Sequence, residues 1–149
     1  MLRTEGGPLV AFRQRSFTHG GGAAASRVHV SLQCFSDCVW VLVTEDDSCV
    51  PGVVLRHDPR EVGLSANWEN PNALPATPCE CLLGMRDHPL TNVVAGVVAH
   101  GIRAEGEQRP LLLCISLTKT AKRLGNAAER TAFVRKVRDD AMALATGHN

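Results

Sequence analysis

Histidines beside acids, and six cysteines, are the side chains of this chain that could do chemistry. His57-Asp58, Asp87-His88 and His100 could supply a base and its orienting acid to a cysteine nucleophile. The cysteines stand at 34, 38, 49, 79, 81 and 114. The bland alternative is that these His and Asp residues occupy turns and helix ends, where they cap backbone groups or meet water. Cys34-x-x-x-Cys38 and Cys79-x-Cys81 do not give the paired C-x-x-C spacing of a zinc ribbon, so no metal is expected. Gly20-Gly21-Gly22 lacks the lysine and the following helix of a phosphate loop. The expectation is therefore no catalytic residues, no metal and no cofactor.

The elements that must position these residues centre on 77–117. Thr77-Pro-Cys-Glu-Cys-Leu-Leu-Gly84 predicts a strand and a glycine break. On one strand Cys79 and Cys81 share a face while Glu80 takes the other. Leu90, Val93, Val94, Val97 and Val98 recur at i, i+3, i+4, i+7 and i+8, one face of a helix. Pro89 suits its first turn, and Gly101 the left-handed position past its end. Leu111–Leu117 is short and apolar, a buried strand.

Before this unit, Leu9–Phe17 has room for an edge strand, and His19–Ser26 reads as a flexible connector. Val28, Val30, Leu32 and Cys34 alternate with His29, Ser31 and Gln33, a half-buried strand. Phe35-Ser36-Asp37 turns the chain into Cys38–Val43, and Glu45–Ser48 turns it again into Val50–Arg56. The stretch 57–78 is a long loop with four prolines and Trp68 at its middle. Asn126, with Glu129 three residues on, opens a last helix. Its buried stripe is Phe133, Val137, Ala141 and Leu144, with Val134 beside it. Its solvated face is Arg135, Lys136, Arg138, Asp139 and Asp140, and Gly147 ends it.

The fold class is α+β: a single antiparallel β-sheet with two helices packed on one face, order β-β-β-(loop)-β-α-β-α. Residues 1–26 form a flexible N-terminal segment with room for that edge strand, and 27–149 a single domain, as the 149-residue length suggests. Two helices cover one face, yet Cys38–Val43 and Leu111–Ile115 are apolar at both parities. A sheet with one wet face should alternate. Either loops cover the other face or a second protein does, and the second protein is the favoured expectation.

The formal net charge of +1 offers no field to gather nucleic acid or an anionic membrane, and the lack of tyrosine argues against base stacking. No run approaches the roughly 20 apolar residues of a membrane span. A signal-peptide core is not seen at the N-terminus. Arg3, Arg13, Arg15, Ser16 and Ser26 faintly resemble a transit peptide, which five glycines and a proline before residue 27 weaken. The expectation is a cytoplasmic chain, extending to the nucleus, with reduced thiols.

Several pieces resemble the third and fourth members of the small proteasome assembly chaperones. They are His29-Val30-Ser31-Leu32, Phe35-Ser36-Asp37-Cys38-Val39-Trp40-Val41, Leu82-Leu83-Gly84 and Leu113-Cys114-Ile115-Ser116-Leu117. Phe133–Met142 looks most like the fourth member, whereas the stretch after Gly84 and the Glu105–Arg109 turn resemble the third. The resemblance implies a non-catalytic subunit that pairs with a related small chaperone and acts on proteasome α subunits during assembly of the α-ring. A homodimer is the alternative when the chain is alone. On this reading Val39, Val41, Val43, Leu112 and Cys114 would meet the partner chaperone, and Trp68, Arg135, Arg138 and Asp139 the α-ring. The competing reading is a small adaptor module for a GTPase or trafficking complex, because sheet-plus-helix modules are reused widely.

Overall fold

The computed structural model describes residues 11–20, 22, 25–46, 52–60, 74–85 and 88–147. Trp68, Cys49 and Asp87, with most of the long loop and half of the acidic turn, lie outside the described residues.

Six strands form one sheet: β1 (Ala11–His19), β2 (Ser26–Cys34), β3 (Val39–Glu45), β4 (Val53–His57), β5 (Glu80–Leu83) and β6 (Leu111–Ser116). Their order across the sheet is β1-β2-β3-β6-β4-β5. The helices are α1 (Pro89–Ala104), α2 (Thr118–Arg123) and α3 (Ala127–Ala145). The α+β class with helices on one face is as expected. The purely antiparallel sheet is corrected: β3 and β6 pair in parallel, and all other neighbours are antiparallel. The cause is α1, which carries the chain from β5 back across the layer so that β6 enters between β3 and β4.

β1 lies at the edge and pairs with β2 over nine residues. Its inward residues reach α3: Phe17 and His19 set their rings 6.0 and 5.1 Å from Phe133. Arg15 lies 3.7 Å and Lys136 2.8 Å from the Asp140 carboxylate. Asp140, expected on the solvated face of the last helix, is therefore buried, because β1 lies over it. Lys136 also sits 5.4 Å from the Phe17 ring centroid, a cation–π contact.

α1 is longer than its apolar stripe implies. His88 caps it, its Nδ1 accepting from the Thr91 amide at 3.3 Å, and Pro89 fills the first turn. Gly101 was expected past the helix end but lies inside it. A Cβ there would sit 2.9 Å from the Met142 Cγ and Sδ and 3.0 Å from the Arg138 Cγ, so this glycine lets α1 and α3 approach closely. Val93, expected on the buried stripe, is 49% exposed. Val94, Ala95, Val97, Val98 and Ile102 make the buried face.

α3 follows its capping signal. The Asn126 side chain accepts from the Glu129 amide at 2.9 Å, and Glu129 accepts from the Gly125 amide at 2.9 Å. Its stripe of Phe133, Val134, Val137, Ala141 and Leu144 is buried. α2 was not expected, because its cap comes from afar. The buried Glu45 carboxylate at the end of β3 accepts from the Lys119 amide at 2.7 Å and from the Thr120 amide and hydroxyl at 2.8 Å each.

Glu45→Ala should strand the Thr120 amide and hydroxyl in a buried site and destabilise the fold by about 3 kcal/mol. Urea unfolding of the two proteins measures this.

Candidate protein-binding face

The inner face of the sheet is closed. Val28, Val30, Val39, Val41, Val43 and Leu113 are 0% exposed, and Leu55, Leu111 and Ile115 1%, beneath α1 and α3. The expected partner set of Val39, Val41, Val43, Leu112 and Cys114 is corrected here, because it mixes two parities. The three valines are core residues facing the helices, and only Leu112 and Cys114 point to the opposite face. Both parities are apolar in β3 and β6, so hydropathy alone could not separate them.

No helix of the described residues lies over that opposite face. Its side chains fall in rows across the register. One row runs Phe12, Gln33, Trp40, Leu112, Arg56, Glu80; the next runs Gln14, Ser31, Leu42, Cys114, Val54, Leu83. In these two rows the β3–β6 centre is thus apolar. The β1–β2 flank, apart from Phe12, is polar, with Arg27 its one cation, and its middle satisfies itself: His29 Nδ1 lies 2.8 Å from Ser16 Oγ and 3.2 Å from Gln14 Nε2. Phe12 is 56%, Trp40 39% and Leu83 66% exposed. Gly84, in the Leu-Leu-Gly break, has φ +100° and lies so close to β4 that a Cβ would be 3.2 Å from the Val53 Cα. There the chain leaves the sheet, with Leu82, Leu83 and Met85 exposed.

A hollow of about 620 Å³ opens at the Trp40 end of this face. Cys38, Pro110 and Leu112 line it together with Asp37, Arg56, Arg60, Gln108 and Arg109. Its cations have partners. Arg56 and Arg60 hold the buried Asp58 at 3.2 and 2.8 Å. The Arg60 bonds are the main reason that the Asp58 carboxyl is held well below its usual range. Arg109 grips Glu107 with two parallel bonds of 2.8 and 2.9 Å and donates to the Phe35 carbonyl at 2.5 Å. Those bonds lower the Glu107 carboxyl. The rim thus carries paired charge around an apolar floor.

The residues weighed for catalysis do not converge. His57 is fully buried with its ring at the Pro78 carbonyl, 3.0 Å away. His88 caps α1 and His100 is exposed. Burial pushes the Cys79 thiol up to about 12 and raises Cys34 and Cys114, which makes each a poor nucleophile at neutral pH. Among the described residues no cluster of three or more His, Cys, Asp or Glu is placed to hold a metal ion.

Among the described residues one sheet thus carries helices on one side and an apolar stripe on the other. A sequence model of the family described as proteasome assembly chaperone 3 matches residues 63–127, which include β5, α1, β6 and α2. The resemblance to the proteasome assembly chaperones is borne out there, by the model of the third member. In fold, the chain matches a solved chain of a chaperone complex for yeast 20S proteasome assembly, with TM-score 0.56 and 17% identity, over 88% of this chain and 99% of that one. No curated protein matches it in sequence.

Burial lowers the His57 pKa below its ordinary 6.5, so the unfolded chain binds a proton here more readily than the folded one. Its contribution to stability is complete above about pH 6.5 and diminishes as pH falls from there towards the lower folded value. The lowered carboxyls, Asp58 and Glu107, keep their contributions in full across that window and lose them only as pH falls below their own unfolded values. His57→Asn, whose amide can still donate to Pro78, should show a shallower fall in melting temperature between pH 7 and 5 than the parent chain.

Proposed function

We propose that this chain is a non-catalytic subunit of a proteasome assembly chaperone. It pairs through the helix-free sheet face with a related small chaperone, and the pair acts on the α-ring of the core particle in the cytoplasm and nucleus. One observation carries the reading: β3 and β6, central strands of the sheet, turn the exposed Trp40 and the half-buried Leu42 and Leu112 away from the helices, beside the buried Cys114. Central strands apolar on both faces are costly to leave against water, at about 25 cal/mol per Å² of apolar surface. The match to the proteasome assembly chaperone 3 family and the likeness to a chain of a proteasome assembly chaperone complex support a related chaperone as the occupant.

The α-ring contact falls to the other side. Arg135 and Asp139 are exposed on α3, and Arg138 reaches Asp139 at 2.8 Å. These three are candidate contacts that leave the sheet face free for the partner; Trp68, the fourth candidate, lies outside the described residues.

Two substitutions one residue apart separate core from interface. Val41→Asp places a carboxylate among fully buried residues and should leave the chain unfolded. Leu42→Asp lies on the helix-free face and should fold with near-parental circular dichroism, yet lose pairing with a coexpressed fourth-type assembly chaperone. Affinity purification of the parent chain from its own cells should recover proteasome α subunits and a second small chaperone. Recovery of a GTPase or coat complex in their place would favour the adaptor reading.

A further inference from the structure

The helix-free face is not uniform, and its two ends can do different things. The β1–β2 flank is polar and internally hydrogen-bonded, so it gains little by losing water. At the other end Trp40 stands beside the 620 Å³ hollow, 39% exposed and level in register with Leu112 and Gln33. Its ring rests against Phe35, centroids 5.6 Å apart and planes tilted by 57°. Phe35 belongs to the turn between β2 and β3, and its carbonyl accepts from Arg109 across 74 positions of sequence. Arg109 is fixed in turn by the two-pronged bond to Glu107, whose side chain is 17% exposed. Glu107, Arg109, Phe35 and Trp40 thus form one chain of contacts that holds an indole half out of the surface. A large aromatic already held in place loses little entropy on binding, which is what makes such residues binding hot spots.

We infer that Trp40 is the anchor of the pairing face, buried by the partner chaperone beside the hollow lined by Cys38, Pro110 and Leu112, and that the Glu107–Arg109 fork is a positioning device for it. This rests on the pairing reading above. It goes further by assigning the pairing energy to one end of the face, and by giving two residues away from the apolar stripe a role in affinity.

The test measures the dissociation constant of the purified chain with a purified fourth-type assembly chaperone, in a Trp68→Phe background so that Trp40 is the sole indole. On pairing, Trp40 emission should shift to the blue. Trp40→Ala should raise the dissociation constant about 30-fold or more while the protein stays folded. Glu107→Gln should raise it several-fold and shift the emission of the unpaired chain to the red, a readout that a merely structural role would not move. If Glu107→Gln fails to fold, Arg109→Lys, which keeps the charge and loses the fork, takes its place. Pairing abolished by Leu42→Asp but changed less than threefold by Trp40→Ala would overturn the anchor and leave the pairing face standing. Pairing indifferent to both would overturn the pairing face itself. Unchanged Trp40 emission in the fork variants would overturn the positioning role.

Discussion

The hydrogen bond from the Phe35 amide to the Cys38 carbonyl, 2.9 Å, closes the turn between β2 and β3. That turn fixes the register at Cys34 opposite Val39, and every later position follows from it. Val39, Val41 and Val43 then fall in phase with Cys34, Leu32 and Val30 beneath the helices, and Trp40 and Leu42 fall outside. A slip of one residue would bury the indole and expose three valines. Arg109 braces the same turn from the start of β6 through the Phe35 carbonyl. The register therefore depends on groups drawn from two distant stretches of the sequence.

The inner layer follows from this register. β6 threads between β3 and β4 because α1 returns the chain across the sheet, and its Leu111, Leu113 and Ile115 complete the row under the helices. The helix pair closes over them where Gly101 removes a side chain from the α1–α3 contact. Glu45, at the end of β3, anchors the start of α2 through three accepted hydrogen bonds. β1 adds the last strand and buries the Asp140 carboxylate between Arg15 and Lys136, so the far edge of the sheet is tied to α3 by charge as well as by rings.

Local signals in the sequence located most of these elements, and long-range ones accounted for the differences. The alternation from Val28 to Cys34, the Asn126–Glu129 cap and the α3 stripe depend on neighbours within a turn or two, and they read correctly. α2 did not, because its cap lies some 75 positions away in Glu45. The parallel β3–β6 pair did not, because strand adjacency is settled by a crossover rather than by hydropathy. Which parity of β3 faces away from the helices was hidden in the strand itself, apolar on both sides. It was legible in combination: the alternation of β2 marks its buried face, and the short turn after Cys34 carries that phase into β3. The Glu107–Arg109–Phe35 bracing joins residues more than 70 positions apart and leaves no pattern in sequence.

Hydroxyl-radical footprinting of the chain, alone and mixed with a fourth-type chaperone, shows which face of the sheet a partner covers. Trp40 and Leu83 lie on the helix-free face, and Val93 is exposed on α1, across the sheet from it. The account predicts that pairing protects Trp40 and Leu83 from oxidation and leaves Val93 as reactive as before. Protection of Val93 with unchanged reactivity at Trp40 and Leu83 would contradict it, and would place the partner on the helices.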